Sequence, residues 1–333
     1  MSVPRHVFEQ TVASLFAPVA SFLEGDDVSE IMINGHDEIY VEKNGRLHLT
    51  GSQFTSQHDL TSALRNLAQF VGRELNPRNP ILEARLPDGS RVEAIIPPAA
   101  PCGPMVCIRR FQRKQLTLER LIELDAIPLD AARLLLSVVE RRDNLVVAGG
   151  SGSGKTTLLN TLASLAPVDQ RVVVIEDSRE LRLGLPHVVH LEAQPADARG
   201  RGGVSIRELL KATLRMRPDR IVIGEIRGGE ALDLIQAMTS GHRGCLSTVH
   251  ATLPIDTLSR LETMALMSDV DVPLNVLRLQ VASAIDAIVQ VSRRSDGSRC
   301  VTHVSEVQGY DRQSGYRIDH LFERSIESGG AHG

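Results

Sequence analysis

The chain has 333 residues, of which 42% are apolar and 23% are charged, and its formal net charge is −4. This length fits two domains that each bury a core, and the acidic balance gives no overall electrostatic reason to bind nucleic acid. No two of the four cysteines have the C-x2-C spacing of a zinc knuckle, and no apolar run reaches the 18 residues of a membrane span.

The first hundred residues combine short strand patterns with helical ones. Residues 8–23 have helical spacing that Pro18 interrupts, which predicts a kink or two short helices. Asn-Gly and Asp-Gly pairs favour tight hairpins between the strand patterns. The predicted strands are 31–33, 39–41, 47–49, 84–86, 91–96 and 105–111, with a helix at 58–72. We therefore expect an N-terminal α+β domain over 1–110 and a linker at 111–116.

From residue 145 onward apolar strand patterns alternate with helical ones, as in a parallel sheet with crossover helices. We expect a C-terminal α/β domain over 117–328. The glycine-rich end, 329–333, is expected to be disordered.

The strongest motif is the segment 149–156, Gly-Gly-Ser-Gly-Ser-Gly-Lys-Thr, which fits the P-loop pattern G-x4-G-K-[ST] between a strand and a helix pattern. Backbone N–H groups of such a loop point inward at phosphates, and the helix that follows adds its positive dipole. Lys155 can reach the β- and γ-phosphates, and the Thr156 hydroxyl can ligate Mg²⁺. The predicted ATP-binding residues of the loop are Gly150, Ser151, Gly152, Ser153, Gly154, Lys155, Thr156 and Thr157.

Two later strand patterns end in carboxylates. Glu176-Asp177 follows the strand pattern 171–175, and Gly224-Glu225 follows 221–223. Ends of parallel strands beside a P-loop are where ligands bind, although an acidic pair can also simply cap a helix. Because glycine stands at 224, where many P-loop enzymes hold Mg²⁺ with aspartate, we expect Glu225 to serve the metal, partly through water.

The segment 241–250 contains two histidines around a third strand pattern, 245–249. His250 directly follows this strand, and His242 precedes it. Imidazole groups at a strand end can sense the γ-phosphate, and a structural role is the alternative for each. The spacing lacks the ligand pattern of a metal site, so no metal is predicted at the histidines.

Taken in order, four segments resemble the Walker A, Asp-box, Walker B and His-box of the secretion ATPase superfamily. They are 149–157, 174–177, 214–228 and 239–251. This superfamily powers type II secretion, type IV pili, Tad/Flp pili and type IV secretion. Segments 28–50 and 105–118 are similar to the CpaF-type ATPases of Tad pili, and the resemblance extends over about 20–310.

The resemblance implies a homo-hexamer whose subunits have a PAS-like α+β domain followed by a RecA-like P-loop ATPase domain. ATP with Mg²⁺ would bind between the domains. Glu176 would polarise the attacking water, with Glu225 nearer to Mg²⁺, and the reverse assignment stays open. Arginines are also expected at the phosphates, and a surface ion pair is the alternative for each. They are Arg91, Arg109 and Arg110 from the N-terminal side and Arg215 and Arg227 from the ATPase domain.

The implied activity is that of an ATP hydrolase that drives pilus assembly or retraction, or secretion. We expect a cytoplasmic protein that reaches the inner face of the membrane through an inner-membrane platform protein. A conjugation-type type IV secretion ATPase is the alternative. The chain lacks the four-cysteine zinc element usual in pilus-extension and type II secretion ATPases. A RecA-like nucleic-acid translocase is disfavoured, because the chain is acidic and poor in aromatic residues, and we expect no specific nucleic-acid partner.

Overall fold

The computed structural model describes residues 11–25, 27–43, 45–110, 115–194, 196 and 201–324. The chain divides into two compact units, Met1–Arg113 and Lys114–Gly333. Residues 111–114 of the predicted linker and the predicted disordered tail at 329–333 lie outside the described residues.

The first unit is a six-stranded antiparallel sheet with a helix packed on one face. Its strand order is β3-β2-β1-β6-β5-β4. The strands are β1 (Val28–Asn34), β2 (Glu38–Lys43), β3 (Arg46–Leu49), β4 (Ile81–Arg85), β5 (Arg91–Ile95) and β6 (Met105–Arg109). A 3-10 turn at Ala17–Val19 leads into α1 (Ala20–Glu24), so the two short helical pieces predicted around Pro18 are confirmed.

The long helix of this unit is α2 (Gln57–Phe70), which begins where the Ser56 side chain accepts a hydrogen bond from the Asp59 N–H. Its buried face includes Leu60, Leu64 and Leu67, which join the apolar side of the sheet in one core. The opposite sheet face carries the charged residues of β5 and β6. This alternation follows from the period of two along a strand.

The second unit is a mixed eight-stranded sheet between two layers of helices, with strand order β14-β13-β12-β7-β11-β10-β8-β9. The six strands from β12 to β9 in that order run parallel, and β13 and β14 are antiparallel. The strands are β7 (Leu145–Gly149), β8 (Val172–Glu176), β9 (Val188–Glu192), β10 (Arg220–Ile223), β11 (Leu246–His250), β12 (Ala287–Arg293), β13 (Arg299–Asp311) and β14 (Gly315–Glu323).

Helices cover both faces because the central strands are apolar on both sides. Along β7, Leu145 and Val147 pack on one layer, and Val146 and Ala148 pack on the other. The first layer contains α3 (Leu118–Glu123), α4 (Leu129–Glu140) and α5 (Lys155–Ser164). The second contains α6 (Ile206–Thr213), α7 (Glu230–Thr239), α8 (Pro254–Ala265) and α9 (Leu274–Ala284). Among the residues described, no helix combines the length and apolarity that crossing a bilayer requires.

The register of the parallel strands aligns their carboxyl ends. His250 lies beside Gly149 on neighbouring strands. Ile223 pairs with Ile175, which places Gly224 level with Glu176. The segments predicted to bind ATP therefore leave the sheet at one edge, where open α/β sheets bind ligands.

Candidate active site

The P-loop needs glycine at several positions for steric and backbone reasons. A Cβ at Gly149 would stand 2.4 Å from the Val291 carbonyl oxygen and 2.5 Å from Ser153 Oγ. Gly152 and Gly154 have φ angles of +66° and +96°, in the left-handed region that favours glycine. Gly154 directly precedes α5, so the loop turns sharply into a helix N-terminus. This backbone shape is the one that a phosphate-binding loop requires.

Two side chains of the loop turn back onto it. The Lys155 Nζ donates to the Gly150 carbonyl at 2.8 Å, and Ser153 Oγ donates to the same oxygen at 2.9 Å. Lys155 is only 8% exposed. Gly150, Ser151 and Gly152 are exposed at the tip, and Thr156 and Thr157 lie in the first turn of α5. The ammonium is therefore held in the loop, at the start of the helix.

Glu176 is a buried carboxylate at the end of β8. Its Oε1 accepts the Glu180 N–H at 2.8 Å and the Leu181 N–H at 2.9 Å. Burial raises its pKa from 4.5 to about 7, and the two backbone hydrogen bonds oppose that rise. The group thus exchanges its proton near neutral pH, as a general base should.

Glu225 and Arg227 form an ion pair beyond β10. Arg227 Nε donates to Glu225 Oε2 at 2.8 Å, and Nη2 also contacts that oxygen. Arg227 Nη1 lies 3.4 Å from Asp177 Oδ2. Arg227 therefore links the carboxylates that follow β10 and β8, and its positive charge stands at this edge of the sheet.

Neighbouring β11 fixes this segment and adds His250. Thr248 Oγ1 donates to the Gly224 carbonyl at 2.7 Å. His250 Nε2 lies 3.8 Å from Glu225 Oε1. Partial burial lowers the pKa of His250, the positive charge of Lys155 lowers it further, and Glu225 opposes the shift. The imidazole is thus neutral at pH 7, and the structure brings Lys155, Glu225, Arg227 and His250 into one cluster.

His242 does not join this cluster, and the expectation for it is corrected. It precedes β11, so it lies at the edge of the sheet where the parallel strands begin. Its backbone N–H donates a hydrogen bond to the Ala237 carbonyl at 3.1 Å. The next residue, Arg243, pairs with Asp286 at 3.0 Å, beside the start of β12. A five-residue strand spans about 16 Å, so His242 is far from the P-loop of its own chain.

Arg215 is also placed at the edge opposite the P-loop. It follows α6 and precedes β10, and it is exposed. Its neighbour Met216 accepts a hydrogen bond at 3.0 Å from Nε of Arg171, the residue before β8. The expectation that Arg215 lies by the phosphates is therefore corrected for a single chain.

The arginines of the first unit differ in their partners. Arg91 of β5 and Arg109 of β6 are cross-strand neighbours, and Arg85 of β4 pairs with Arg91. These three side chains form a positive row on one sheet face, and Arg85 was missed from the sequence. Arg110 instead donates to the carbonyls of Gly25 and, at 3.0 Å, of Val28. Arg110 thus fixes the start of β1.

A further residue at the P-loop was also missed. Arg299, the first residue of β13, donates from Nε to the Gly152 carbonyl at 3.2 Å. Its only sequence signal was Asp296-Gly297, which predicts a hairpin turn just before it.

The donor set fits a nucleotide with Mg²⁺. The loop has the glycine conformations described above and a lysine at the helix start, and Thr156 follows with a hydroxyl group. Glu225 supplies a carboxylate oxygen just after β10, which is separated from β7 by β11. Mg²⁺ takes oxygen ligands and usually keeps several waters while bound to phosphates and one or two carboxylates. Thr156 and Glu225 are the residues that would hold it.

The chain belongs to the family described as type II/IV secretion system protein, whose model matches residues 13–320. Among its relatives is the type IV secretion system protein PtlH of Bordetella pertussis, 37% identical over 300 residues, which cover 82% of this chain and 88% of PtlH. The conjugal transfer protein TrbB of Rhizobium radiobacter is 30% identical over 310 residues, covering 92% of this chain and 91% of TrbB.

A solved structure extends the likeness to the fold. The X-ray structure of the Legionella pneumophila ATPase DotB is similar over 90% of this chain and 80% of DotB, with a TM-score of 0.59 and 16% identity. At this identity the likeness shows the fold alone. The predicted fold class, an α/β RecA-like ATPase domain with a smaller N-terminal α+β domain, is confirmed.

Proposed function

We propose that this protein hydrolyses ATP at the edge where β7, β11, β10 and β8 end. The observation that carries the proposal is the joining of a P-loop lysine to strand-end acidic and imidazole groups. Lys155 lies near enough to His250 to lower its pKa, and His250 lies 3.8 Å from Glu225. Binding of the triphosphate and activation of the attacking water both need these groups close to the γ-phosphate.

We assign each residue a role from its surroundings in the site. Backbone N–H groups from Gly150 to Thr157 bind the phosphates, and Lys155 neutralises charge at the γ end. Glu176 orients and deprotonates the attacking water, because its pKa of about 7 suits proton exchange at neutral pH. Glu225 pairs with Arg227 at the same edge of the sheet and supplies a carboxylate, the kind of oxygen ligand that Mg²⁺ takes.

Bound Mg²⁺ would polarise the phosphate oxygens and offset their charge. Thr156 would ligate it directly, and Glu225 would do so partly through water. Arg227 adds positive charge at the same edge. Neutral His250 can accept or donate one hydrogen bond. It would therefore respond to the presence of the γ-phosphate without adding charge to the site.

Among the systems that such ATPases drive, we propose that this protein serves a type IV secretion system of conjugation type. PtlH and TrbB, whose names place them in type IV secretion and conjugal transfer, match at 37% and 30% identity over more than four fifths of each chain. We propose a homo-hexamer at the cytoplasmic face of the inner membrane. It would act through an inner-membrane platform protein, with ATP-driven domain movement as its output.

The segments 28–50 and 105–118 support a second candidate, a motor of Tad/Flp pilus assembly or retraction. Both candidates use the same enzyme, so the substrate separates them. In the organism that encodes this protein, the first candidate predicts that Lys155→Ala abolishes DNA transfer or protein secretion. The amount of pilin on the cell surface should stay normal. Loss of surface pilin alone would instead establish the pilus candidate.

The oligomer is tested on the purified 333-residue chain. Mass photometry with an ATP analogue should give a particle of six times the 36.3 kDa chain mass. A monomer under all nucleotide conditions would contradict the ring, and unaltered secretion, transfer and piliation in the Lys155→Ala cell would contradict the motor function.

A further inference from the structure

The P-loop strand β7 has two neighbours, which carry different side chains at the edge where the loop leaves the sheet. On one side β11 ends at His250, with Glu225 and Glu176 on the strands beyond. On the other side β12 ends at Arg293, which pairs with Arg299 of β13. The loop is thus flanked by carboxylate and imidazole groups on one side and by two arginines on the other.

The two arginines lie directly against the turn of the loop. Arg299 Nε donates to the Gly152 carbonyl at 3.2 Å. A Cβ built at Gly154 would stand 3.5 Å from Arg299 Cγ, and one built at Gly152 would stand 3.9 Å from Arg293 Nη1. Arg299 therefore holds the peptide whose neighbouring N–H groups would bind phosphate, and Arg293 lies beside it.

The turn that joins β12 to β13 is fixed independently of any ligand. Arg294 N–H donates to the Ser298 carbonyl at 2.7 Å, and Gly297 supplies the positive φ of +90° that the turn needs. The Arg294 side chain pairs with Asp125 at 2.9 Å, and Arg324 pairs with the same carboxylate at 2.7 Å. The arginines are therefore held at the loop before a nucleotide arrives.

We propose that Arg299, through the Gly152 peptide, and Arg293, by its charge, favour binding of the part of the nucleotide that ATP and ADP share. The argument rests on the proposed ATP hydrolysis: the bond breaks at the γ-phosphate, so the Glu176 and Glu225 side of the loop faces that end. The β12–β13 side then faces the nucleoside end. Arg299 is a positioning residue that fixes the Gly152 peptide, and Arg293 adds positive charge for the phosphate nearest the nucleoside.

This placement predicts a separation of binding from chemistry. An interaction made equally with substrate and transition state changes KM and leaves kcat unchanged. Replacing Arg299 or Arg293 should therefore weaken ADP and ATP together. Loss of one charge-assisted hydrogen bond weakens binding about 10-fold or more.

The test uses the 333-residue chain with Arg299→Ala, Arg299→Lys and Arg293→Ala. The control is Arg312→Ala, in the exposed turn between β13 and β14. Calorimetric titration with ADP should show Kd raised about 10-fold in Arg299→Ala, with the KM for ATP raised equally and kcat within about twofold. Lysine should restore part of the affinity, because it keeps the charge without the planar fork, and the control should match wild type.

An ADP Kd equal to wild type in Arg299→Ala and Arg293→Ala would overturn the inference, as would a lower kcat with unchanged ADP affinity. Since Arg293 is exposed, its variant tests the inference even if Arg299→Ala does not fold. Wild-type protein that binds no ADP at all would instead contradict the proposed function.

Discussion

Gly224 lies against the side chain of Glu176, so closely that a Cβ at 224 would stand 3.0 Å from Glu176 Cγ and 3.6 Å from Oε1. The two residues are level on neighbouring strands. The missing side chain at 224 therefore makes room for a buried carboxylate on β8. In the proposed mechanism, the acidic function that many P-loop enzymes place at the end of the Walker B strand is divided between Glu176 and Glu225.

Gly224→Ala should destabilise the protein by about 1–3 kcal/mol, because overpacking a buried site forces neighbours out of place. It should also lower kcat, since the Glu176 carboxylate would be displaced. Urea unfolding and phosphate release measure the two effects. Gly184→Ala is the matched control, because the nearest atom to its Cβ is 4.0 Å away.

A double-mutant cycle sharpens this prediction. In a Glu176→Ala background the space for the new methyl group already exists, so Gly224→Ala should cost much less there. Equal costs in both backgrounds would show that the two side chains do not compete for space.

Glu176→Gln tests the raised pKa through stability. The folded protein holds a proton on Glu176 up to pH about 7, whereas the unfolded chain releases it near 4.5. Because unfolding releases this proton at pH values between the two, the wild-type fold loses stability as pH rises from 4.5 to 7, by about 3 kcal/mol at most. The glutamine variant lacks this loss, so its stability relative to wild type should rise between pH 5 and pH 8 in urea unfolding.

The same variant tests the general base. Wild-type kcat should rise with pH around pH 7, and Glu176→Gln should lower it by about 10²–10⁴-fold and remove that dependence. A glutamine variant with more than half of wild-type kcat would show that water activation belongs elsewhere, with Glu225 the next candidate.

His250→Ala should lower ATP turnover about 10-fold, because the residue contacts Glu225 and lies near Lys155. Its lowered pKa keeps the imidazole neutral at pH 7, so the variant should keep the wild-type pH dependence between pH 7 and 8. His58→Ala, at an exposed position of α2, is the control. The rate is measured as steady-state phosphate release. A His250→Ala variant with wild-type turnover would show that the histidine takes no part in hydrolysis.

Much of the site could be predicted because its parts are short and contiguous. The segment 149–156 contains the glycines, the lysine and the hydroxyl group together, and each carboxylate follows an apolar strand run. Parallel strands bring their carboxyl ends to one edge of the sheet. Glu225 and His250 each follow or end such a strand, so their placement at the same edge could be predicted.

The errors have one geometric cause. His242 and Arg215 lie within the motif segments, yet each precedes its strand, and a strand carries its two ends to opposite edges of the sheet. Membership in a motif does not reveal that side. A residue's position before or after its strand does.

Other features depend on contacts that are remote in sequence. Arg299 lies 147 residues from Gly152 and reaches it because the sheet continues from β7 through β12 to β13. The space at Gly224 depends on the pairing of β10 with β8. Strand β4 was predicted too short because Ile81, on this edge strand, is 57% exposed and obscures the alternation.

Lys155 and the strand-end acidic groups are proposed to form one hydrolytic site. Phosphate release from ATP should be measured for the wild-type chain, Lys155→Ala and the exposed control Lys211→Ala on α6. We expect turnover in wild type and in the control, and a loss of at least about 100-fold in Lys155→Ala. Equal turnover in all three proteins would contradict it.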